Sequence, residues 1–238
     1  MITRLSSDMR AERRAAARLH LAELGSSDLA ALGEEFLERF YYGALLEDPE
    51  YFCYLSTVDG AVAGFTAFST DAQAVCRRGV ARAWRALSWV LIKCIVRRPA
   101  RLAALASLAN GWLSMRREAC ADVKAEAMTT AVAGAFRTAE FYRARGINVA
   151  QELYVTVART LWARGVKTVK GFTLTSNLRV TAALSSLGWR KVGEGIGLRP
   201  AVRQATCVWL WDLEQAAERF QFVKEGAPAS RTQALAAR

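Results

Sequence analysis

The spacing of hydrophobic positions changes along the first part of the chain, and the change predicts a strand followed by a helix. Residues 17–24 are interpreted as the first strand. Residues 26–46 are predicted to form a helix, because apolar side chains recur every three or four positions from Leu29 to Phe40. Serines and an aspartate just before this run can cap the helix.

A hairpin follows this helix. Two apolar runs, at 51–58 and 61–70, meet at Asp59-Gly60. Asp-Gly between such runs is typical of a type I′ turn, because both central residues of that turn need positive φ. Further along the chain the same patterns predict a strand at 125–134, a helix at about 148–164, a strand at 166–175, a short helix at 176–188 and a last strand at 205–213.

The stretch from 72 to about 119 interrupts this alternation. Two helices are predicted there, separated by Pro99, and the sequence has no acidic residue between Asp71 and Glu118. Tryptophans and aliphatic residues lie among arginines, which is the composition of an interfacial helix. Three interpretations stay open: the segment packs its apolar side on the domain and leaves its arginines in water, it touches a membrane surface, or it binds a partner or an acyl chain.

Length and composition predict one globular domain. The chain has 238 residues and is 53% hydrophobic, which excludes a disordered protein. We expect the domain to cover 17–213, after a flexible basic arm at 1–16 and before a frayed tail at 214–238. The formal charge of +11 favours anionic partners such as nucleotide-like cofactors, acidic proteins or anionic lipid. Nucleic acid is not expected, because no matching motif accompanies the charge.

Histidine and cysteine usage narrows the chemistry and the compartment. His20 is the single histidine, so a histidine-rich metal site is excluded, no metal is expected and a structural role for His20 is favoured. Five cysteines form no CxxC pair, which indicates a reducing compartment. The longest apolar run, 87–92, is too short to span a bilayer. A cytoplasmic location is expected, and peripheral contact with the inner membrane face stays open.

The segment RARGIN at 143–148 precedes a predicted helix and has the character of an anion site. Backbone N–H groups at a helix start favour phosphate. Gly146 permits a close approach or a backbone conformation that a β-carbon would obstruct, and Asn148 is one of the few other residues that tolerate left-handed conformations. Arg143 and Arg145 can donate charge-assisted hydrogen bonds to phosphate oxygens.

With this loop the chain resembles the GNAT superfamily of acyl-CoA-dependent N-acetyltransferases from about 17 to 213, apart from the insert. Members have an Arg/Gln-x-x-Gly-x-Gly/Ala loop between the fourth strand and the following helix. Here Arg143 and Gly146 match that pattern, and Asn148 replaces its last small residue. A second family feature is an Asn followed by Gly and an aromatic residue, which resembles Asn177 and Gly188-Trp189.

The resemblance implies an α/β (α+β) fold, with a mixed, mostly antiparallel central sheet flanked by helices and a helical insert between strands three and four. It implies acetyl-CoA or another acyl-CoA as co-substrate, with direct attack of a primary amine on the thioester between strands four and five. Backbone N–H groups near Val132 would polarise the thioester carbonyl. The residues implied to hold the coenzyme are Val132, Arg143, Arg145, Gly146, Ile147, Asn148, Val149 and Asn177.

The family comparison also suggests which side chains move protons. Glu126 is the candidate base, and Glu140 is the reserve; an exposed strand carboxylate is the alternative for Glu126. Many members have a tyrosine seven residues after the Asn that protonates the departing thiolate, and Leu184 stands there in this chain. Ser185, Ser186, a tyrosine from elsewhere or water could replace it.

Two alternative functions and several partners stay open. One alternative is an N-acyl amino acid synthase-like enzyme that takes its acyl chain from acyl carrier protein, and the other is a GNAT-fold protein that binds coenzyme A without catalysis. The acceptor is expected to be a small-molecule amine of unspecified class. Anionic membrane, acyl carrier protein and a second copy of the chain are the open partners.

Overall fold

A mixed β-sheet runs through the centre of the molecule. The computed structural model describes residues 1–99, 101–103, 105–106, 120, 122–196 and 205–222. The strands in these ranges are β1 (Ile2–Arg4), β2 (Tyr51–Val58), β3 (Ala61–Ser69), β4 (Glu126–Val132), β5 (Thr168–Leu174), β6 (Arg190–Ile196) and β7 (Ala205–Asp212). The helices are α1 (Arg10–Glu23), α2 (Asp28–Ala31), α3 (Glu34–Phe36), α4 (Ala72–Arg97), α5 (Ala139–Arg145), α6 (Val149–Ala163), α7 (Leu178–Ser186) and α8 (Leu213–Arg219).

The sheet has the order β1-β2-β3-β4-β5-β7-β6. Neighbouring strands are antiparallel except β4 and β5, which are parallel and are connected through α6. The β2–β3 hairpin turns at Asp59 (φ 50°) and Gly60 (φ 76°), so the predicted positive-φ turn is confirmed. The mostly antiparallel sheet flanked by helices confirms the predicted fold class.

The parallel strands β4 and β5 diverge soon after they begin. They pair at Glu126 with Lys170 and at Ala127 with Gly171, and at no later position in the described chain. On the other side of β4 the register with β3 shifts between Ala67 and Phe68. This irregularity gives β4 one extra residue, and such a bulge bends the strand that carries it. A cleft therefore opens between β4 and β5 towards their carboxyl ends.

Two hydrophobic cores lie on opposite faces of the sheet. We call the face covered by α6 and α8 the first face and the face covered by α1 and α4 the second face. The first core combines Leu153 and its neighbours on α6 with tryptophans of β7 and its surroundings. The second core combines Ala16 and Ala17 of α1, the aromatic residues before β2 and the inner side of α4.

The strongest disagreement with the sequence predictions lies before residue 25. The arm predicted at 1–16 and the strand predicted at 17–24 are both wrong, because β1 pairs with β2 and residues 10–23 form α1. Ala16, Ala17 and His20 are buried along one side of this helix. The alternation of leucines near residue 20 suggested a strand, but the buried stripe has helical spacing.

Two further predictions need correction. The single helix predicted at 26–46 is divided into short helical segments, and Gly33 between α2 and α3 has a φ of 92°. The frayed tail predicted from 214 begins instead with α8, capped by Asp212 and held by buried Leu213 and Ala216. Residues 223–238 of that predicted tail, and most of the second helix predicted in the insert, lie outside the described residues.

The elements around the cleft agree with the sequence predictions. The strands predicted at 125–134 and 166–175 contain β4 and β5, and the helix predicted at 148–164 corresponds to α6. The first helix of the insert is α4, which ends before Pro99 as predicted. The long connection between β4 and α6 forms a short 3₁₀ turn and then α5.

Candidate active site

The cleft between the diverging strands is the candidate active site. It encloses about 90 Å³ on the first face of the sheet. Both strands, α6, α7 and the start of β6 contribute to its lining, which consists of Ala127, Met128, Thr129, Thr130, Tyr154, Gly171, Phe172, Thr173, Val180, Leu184 and Trp189. Because β4 has no β5 partner beyond Ala127, its backbone polar groups on this side are available to a ligand.

Tyr154 is a polar group of the cleft that the sequence interpretation did not identify. Its ring lies edge-on to Phe68, Trp189 and Trp211, and the side chain of Thr130 lies beside its hydroxyl. Burial raises the pKa of Tyr154, so the phenol keeps its proton at neutral pH. The helical spacing of α6 marks this position as core, and only the tertiary structure shows that it faces the cleft.

A short chain of hydroxyl groups holds the phenol. The hydroxyls of Thr130 on β4 and Thr66 on β3 lie 2.6 Å apart, and Thr66 is fully buried. Thr130, which lies beside the phenol, is therefore held in a fixed position on the sheet. A side chain held by packing and by a buried partner loses little freedom when a ligand arrives, which favours a precise geometry.

Leu184 occupies the cleft wall, where the family resemblance led us to look for a tyrosine. Its side chain is buried on α7. Ser185 and Ser186 of the same helix are exposed, and Ser186 donates to the carbonyl oxygen of Ala183. Neither serine is among the residues that line the cleft. Of the substitutes that the sequence left open, a tyrosine from elsewhere is the one for which the structure provides a candidate.

Glu126 begins β4 at the point where the two strands still pair. It lies opposite Ser69 on one side and Lys170 on the other, and its side chain is only 5% exposed. The alternative of an exposed strand carboxylate is therefore wrong. Burial, with the nearby carboxylate of Glu126 as the second cause, raises the pKa of the Cys76 thiol to about 12. Cys76 belongs to α4, so Glu126 lies on the second face.

The two candidate proton-transfer groups thus lie on opposite faces of the sheet. Tyr154 packs in the first core, whereas Glu126 lies near Tyr41 and Cys76 of the second. Tyr41 in turn places its hydroxyl 2.6 Å from that of Thr129 at the bulge of β4. The reserve candidate, Glu140, is exposed on the first turn of α5.

The loop predicted at 143–148 is partly helical, because Arg143 and Arg145 belong to the last turn of α5 and only residues 146–148 connect it to α6. Gly146 ends α5 in the left-handed conformation with a φ of 65°, and its N–H donates to the carbonyl oxygen of Tyr142 at 2.7 Å. Asn148 caps α6, because its side-chain oxygen accepts from the N–H of Gln151 at 3.1 Å. Both special residues of the motif therefore have local structural reasons in addition to any role toward phosphate.

The two arginines in the last turn of α5 differ in their surroundings. Arg145 forms an ion pair with Asp59 at the tip of the β2–β3 hairpin. Arg143 is exposed and donates to the carbonyl oxygen of Ala139 on its own helix at 3.3 Å, and no carboxylate partner is found for it in the ranges that the structure covers. Arg143 is therefore the more available cation for a bound anion.

Close packing fixes this loop against the open end of the cleft. Val132 ends β4 opposite Gly64 of β3. A β-carbon at Gly64 would come within 3.0 Å of Val149 and 3.2 Å of Leu153, so the start of α6 approaches the sheet where only glycine fits. This contact brings Val132, Ile147 and Val149 to one end of the cleft.

The second predicted motif frames the other wall. Asn177 caps α7, with its side-chain oxygen 3.3 Å from the N–H of Val180. Gly188 has a φ of 89°, and Trp189 stacks on Trp211 and approaches Gly171, where a β-carbon would lie 3.0 Å from the indole. The spacing of Asn177, Gly188 and Trp189 therefore has a structural reason: it places a cap, a turn and the aromatic floor of the cleft.

His20, for which the sequence analysis favoured a structural role, is buried on the second face of the sheet. Its Nδ1 is 2.8 Å from the hydroxyl of Tyr42, and its Nε2 is 3.2 Å from that of Ser27. Burial lowers the pKa of His20 to about 4.

In the described ranges, no helix is long and apolar enough to cross a membrane, and no group of His, Cys, Asp and Glu side chains could hold a metal ion.

Comparison with known proteins gives similarity in structure without similarity in sequence. No protein-family model and no curated protein matches the sequence. Aminoglycoside 6'-acetyltransferase type Ii superposes with a TM-score of 0.52 at 9% identity, over 90% of this chain and 97% of that one. A GNAT-family protein from Desulfovibrio desulfuricans superposes with a TM-score of 0.50 at 10% identity, over 90% and 99% of the two chains.

A match of smaller extent involves a Bacillus anthracis protein crystallised with acetyl coenzyme A. It has 9% identity and a TM-score of 0.42, and it covers 71% of this chain and 65% of that one. The two fuller superpositions extend over 90% of this chain. The chain therefore has the fold of the GNAT acetyltransferases.

Proposed function

We propose that the protein transfers a short acyl group from an acyl-CoA to a primary amine. The observation that carries the proposal is the pair of parallel strands that part after two paired positions, with the start of α6 at the open end of the gap. The free edge of β4 suits the amide groups of an extended ligand. The helix start and Arg143 suit a phosphate at the mouth of the cleft.

The size of the cleft favours a short acyl group. Sites that enclose drug-sized ligands measure roughly 300 Å³ or more, whereas this cleft measures about 90 Å³. Trp189 and Leu184 close it on the first face, and the paired positions at Glu126 and Ala127 close its narrow end. The small volume of the cleft therefore favours an acetyl group as the transferred group.

The positions of Glu126 and Tyr154 on opposite faces support a different proposed role for each. The amine nitrogen attacks the carbonyl carbon of the thioester, the C–N bond forms and the C–S bond breaks. Glu126 takes the proton that the amine loses, and Tyr154 gives a proton to the departing sulfur. The acceptor then approaches from the second face while the thiol leaves along the first.

Ligand binding tests the donor site. Acetyl-CoA at 100 times its Kd should stabilise the protein by about 2.7 kcal/mol, measured as a shift in thermal unfolding. Arg143→Gln should weaken binding about tenfold or more, because a hydrogen bond to a charged group contributes about 1.5–3 kcal/mol. Arg190→Gln, at an exposed position on β6, is the matched control. Absence of any shift with acetyl-CoA and longer acyl-CoAs would refute the proposed function.

Steady-state kinetics tests the proton donor separately. Tyr154→Phe keeps the ring and removes the hydroxyl, so kcat should fall by about 10²-fold or more while donor affinity is kept. Tyr142→Phe, on exposed α5, serves as the control. An unchanged kcat for Tyr154→Phe, in a protein that binds acetyl-CoA, would remove Tyr154 from the reaction and leave the acyl-transfer proposal intact.

A further inference from the structure

The outward side of α4 carries large apolar side chains in water. We call Trp89, Ile92 and Val96 the α4 outer face. These residues are 58%, 53% and 76% exposed. Trp84, five residues before Trp89, is 56% exposed, and Leu102 beyond the helix is 53% exposed. Ile92 and Val96 are one helical turn apart, and Trp89 lies three residues before Ile92, so the three share one side. Monomeric soluble proteins rarely expose contiguous apolar patches of this kind.

The opposite side of the same helix is firmly attached to the domain. Val75, Cys76 and Val90 are buried in or beside the second core. Gly79 allows close approach of Leu45, since a β-carbon there would lie 2.4 Å from the leucine. Arg78 donates two hydrogen bonds to the buried carboxylate of Asp48, at 2.7 and 2.9 Å. α4 therefore has apolar residues on two sides, and its packing against the domain explains only those on the inner side.

Cations surround the outer face. Arg85 lies over the ring of Trp84, 5.4 Å from its centroid, and Lys93 lies over Trp89 at 5.3 Å. Arg77 and Arg98 are exposed at either end. In the described ranges, the carboxylates that reach cations of this helix come from Glu35, Glu47, Asp48 and Glu50, all on neighbouring elements.

We propose that the α4 outer face docks on the surface of an anionic membrane. Tryptophans and aliphatic side chains between arginines and lysines match the boundary between acyl chains and negatively charged headgroups, where the apolar residues enter and the cations stay at the surface. A second copy of the chain would bring the same cations against this face, and both copies carry a formal charge of +11. Charge therefore opposes self-association there and favours anionic lipid. This inference does not depend on the acyl-transfer proposal.

Vesicle flotation tests the proposal with the full chain. Wild-type protein should float with vesicles of phosphatidylcholine and phosphatidylglycerol and stay unbound with phosphatidylcholine alone. Arg85→Glu with Lys93→Glu should lower the affinity for the vesicles about tenfold or more. The reason is that each surface cation contributes about 1 kcal/mol to binding. Trp89→Ser with Ile92→Ser should also abolish flotation, because it removes the inserted side chains. Arg190→Glu with Lys167→Glu changes the net charge equally at exposed positions on other surfaces and should float like the wild type.

Circular dichroism and thermal unfolding show whether each variant keeps the fold. If Trp89→Ser with Ile92→Ser fails to fold, the single substitution Ile92→Ser, at an exposed position of the α4 outer face, replaces it. The proposal is overturned if the wild type does not float with anionic vesicles, or if the folded variants float as well as the wild type. It is also overturned if the wild type is a dimer that Ile92→Ser dissociates, since a second copy would then cover this face.

Discussion

The two faces of the sheet bury different kinds of side chain. On the first face, α6 and α8 cover a core in which Trp189, Trp209 and Trp211 meet Leu153 and its neighbours. On the second face, the buried residues include many polar groups: His20, Tyr41, Tyr42, Tyr51, Glu126 and Lys170. The first face also buries the hydroxyls of Thr66 and Tyr154, but the buried histidine, glutamate and lysine of the described residues lie on the second face.

Because of this difference, the two faces contribute differently to the stability of the fold. Apolar packing of the first face contributes free energy of folding without special demands, whereas each buried polar or charged group needs a partner or costs free energy. Tyr51, Ser69, Glu126 and Lys170 lie directly opposite one another on four neighbouring strands, which makes a polar row across the second face. The row lies next to the candidate cleft, at the positions where β4 and β5 still pair.

Removing packing from the first face should give the largest loss of stability. Leu153 is fully buried and packs against the glycine at position 64 of β3. Leu153→Ala should lower the free energy of unfolding by about 2–5 kcal/mol, because it removes buried methyl groups and leaves a cavity. Urea titration followed by circular dichroism measures the loss. Gln151→Ala, exposed on the same helix, should change stability by less than about 0.5 kcal/mol; equal losses for both variants would contradict the described packing.

The second face should respond to pH through His20. Burial lowers its pKa from the ordinary 6.5 to about 4. Above pH 6.5 the histidine is neutral in both folded and unfolded chains and costs nothing. Between pH 6.5 and about 4 the His20 imidazole binds a proton in the unfolded chain but not in the folded chain. The free energy of unfolding should therefore fall by about 1.4 kcal/mol per pH unit, or about 3 kcal/mol in all.

A matched variant isolates this titration from that of the carboxylates. His20→Gln removes the only histidine in the chain, while every Asp and Glu stays. The free energy of unfolding should therefore fall more steeply with acid in the wild type than in the variant, over the window from pH 6.5 to about 4. Parallel pH profiles would show that His20 is not buried as a neutral group.

Local chemistry accounts for what the sequence revealed about the cleft. Asp59-Gly60 predicted the turn of the β2–β3 hairpin because few residues accept positive φ. Asn148 and Asn177 indicated where α6 and α7 begin, because their side chains cap these helices. The divergence of β4 and β5 has no such local signal. It arises from a register shift against β3, and register between distant strands is a property of the folded sheet.

The same limit explains the missed residues. Tyr154 has the helical spacing of an ordinary core residue, and only the position of α6 over the cleft distinguishes it. β1 is three residues long and exists because it pairs with β2, more than forty residues away in sequence. The roles predicted for Glu126 and the loop at 143–148 stay predictions until ligand binding and kinetics are measured.

Two tyrosines on the second face give the finest test of its polar character. The hydroxyl of Tyr42 is 2.8 Å from Nδ1 of His20, whereas that of Tyr51 is buried with no hydrogen-bond partner within the described ranges. Tyr42→Phe should therefore lower the free energy of unfolding by about 1 kcal/mol, because the ring nitrogen loses its partner.

Tyr51→Phe should leave stability unchanged or raise it by up to about 1 kcal/mol, because the substitution removes a buried polar atom that gains nothing from the fold. Chemical denaturation of both variants measures these changes, and steady-state kinetics with a primary amine as the varied substrate extends the comparison. If Tyr51 serves the acceptor, Tyr51→Phe should raise the KM for the amine while Tyr42→Phe does not. Equal destabilisation by the two substitutions would show that the Tyr51 hydroxyl has a partner in solution, and the polar row would then be a structural network rather than part of the acceptor site.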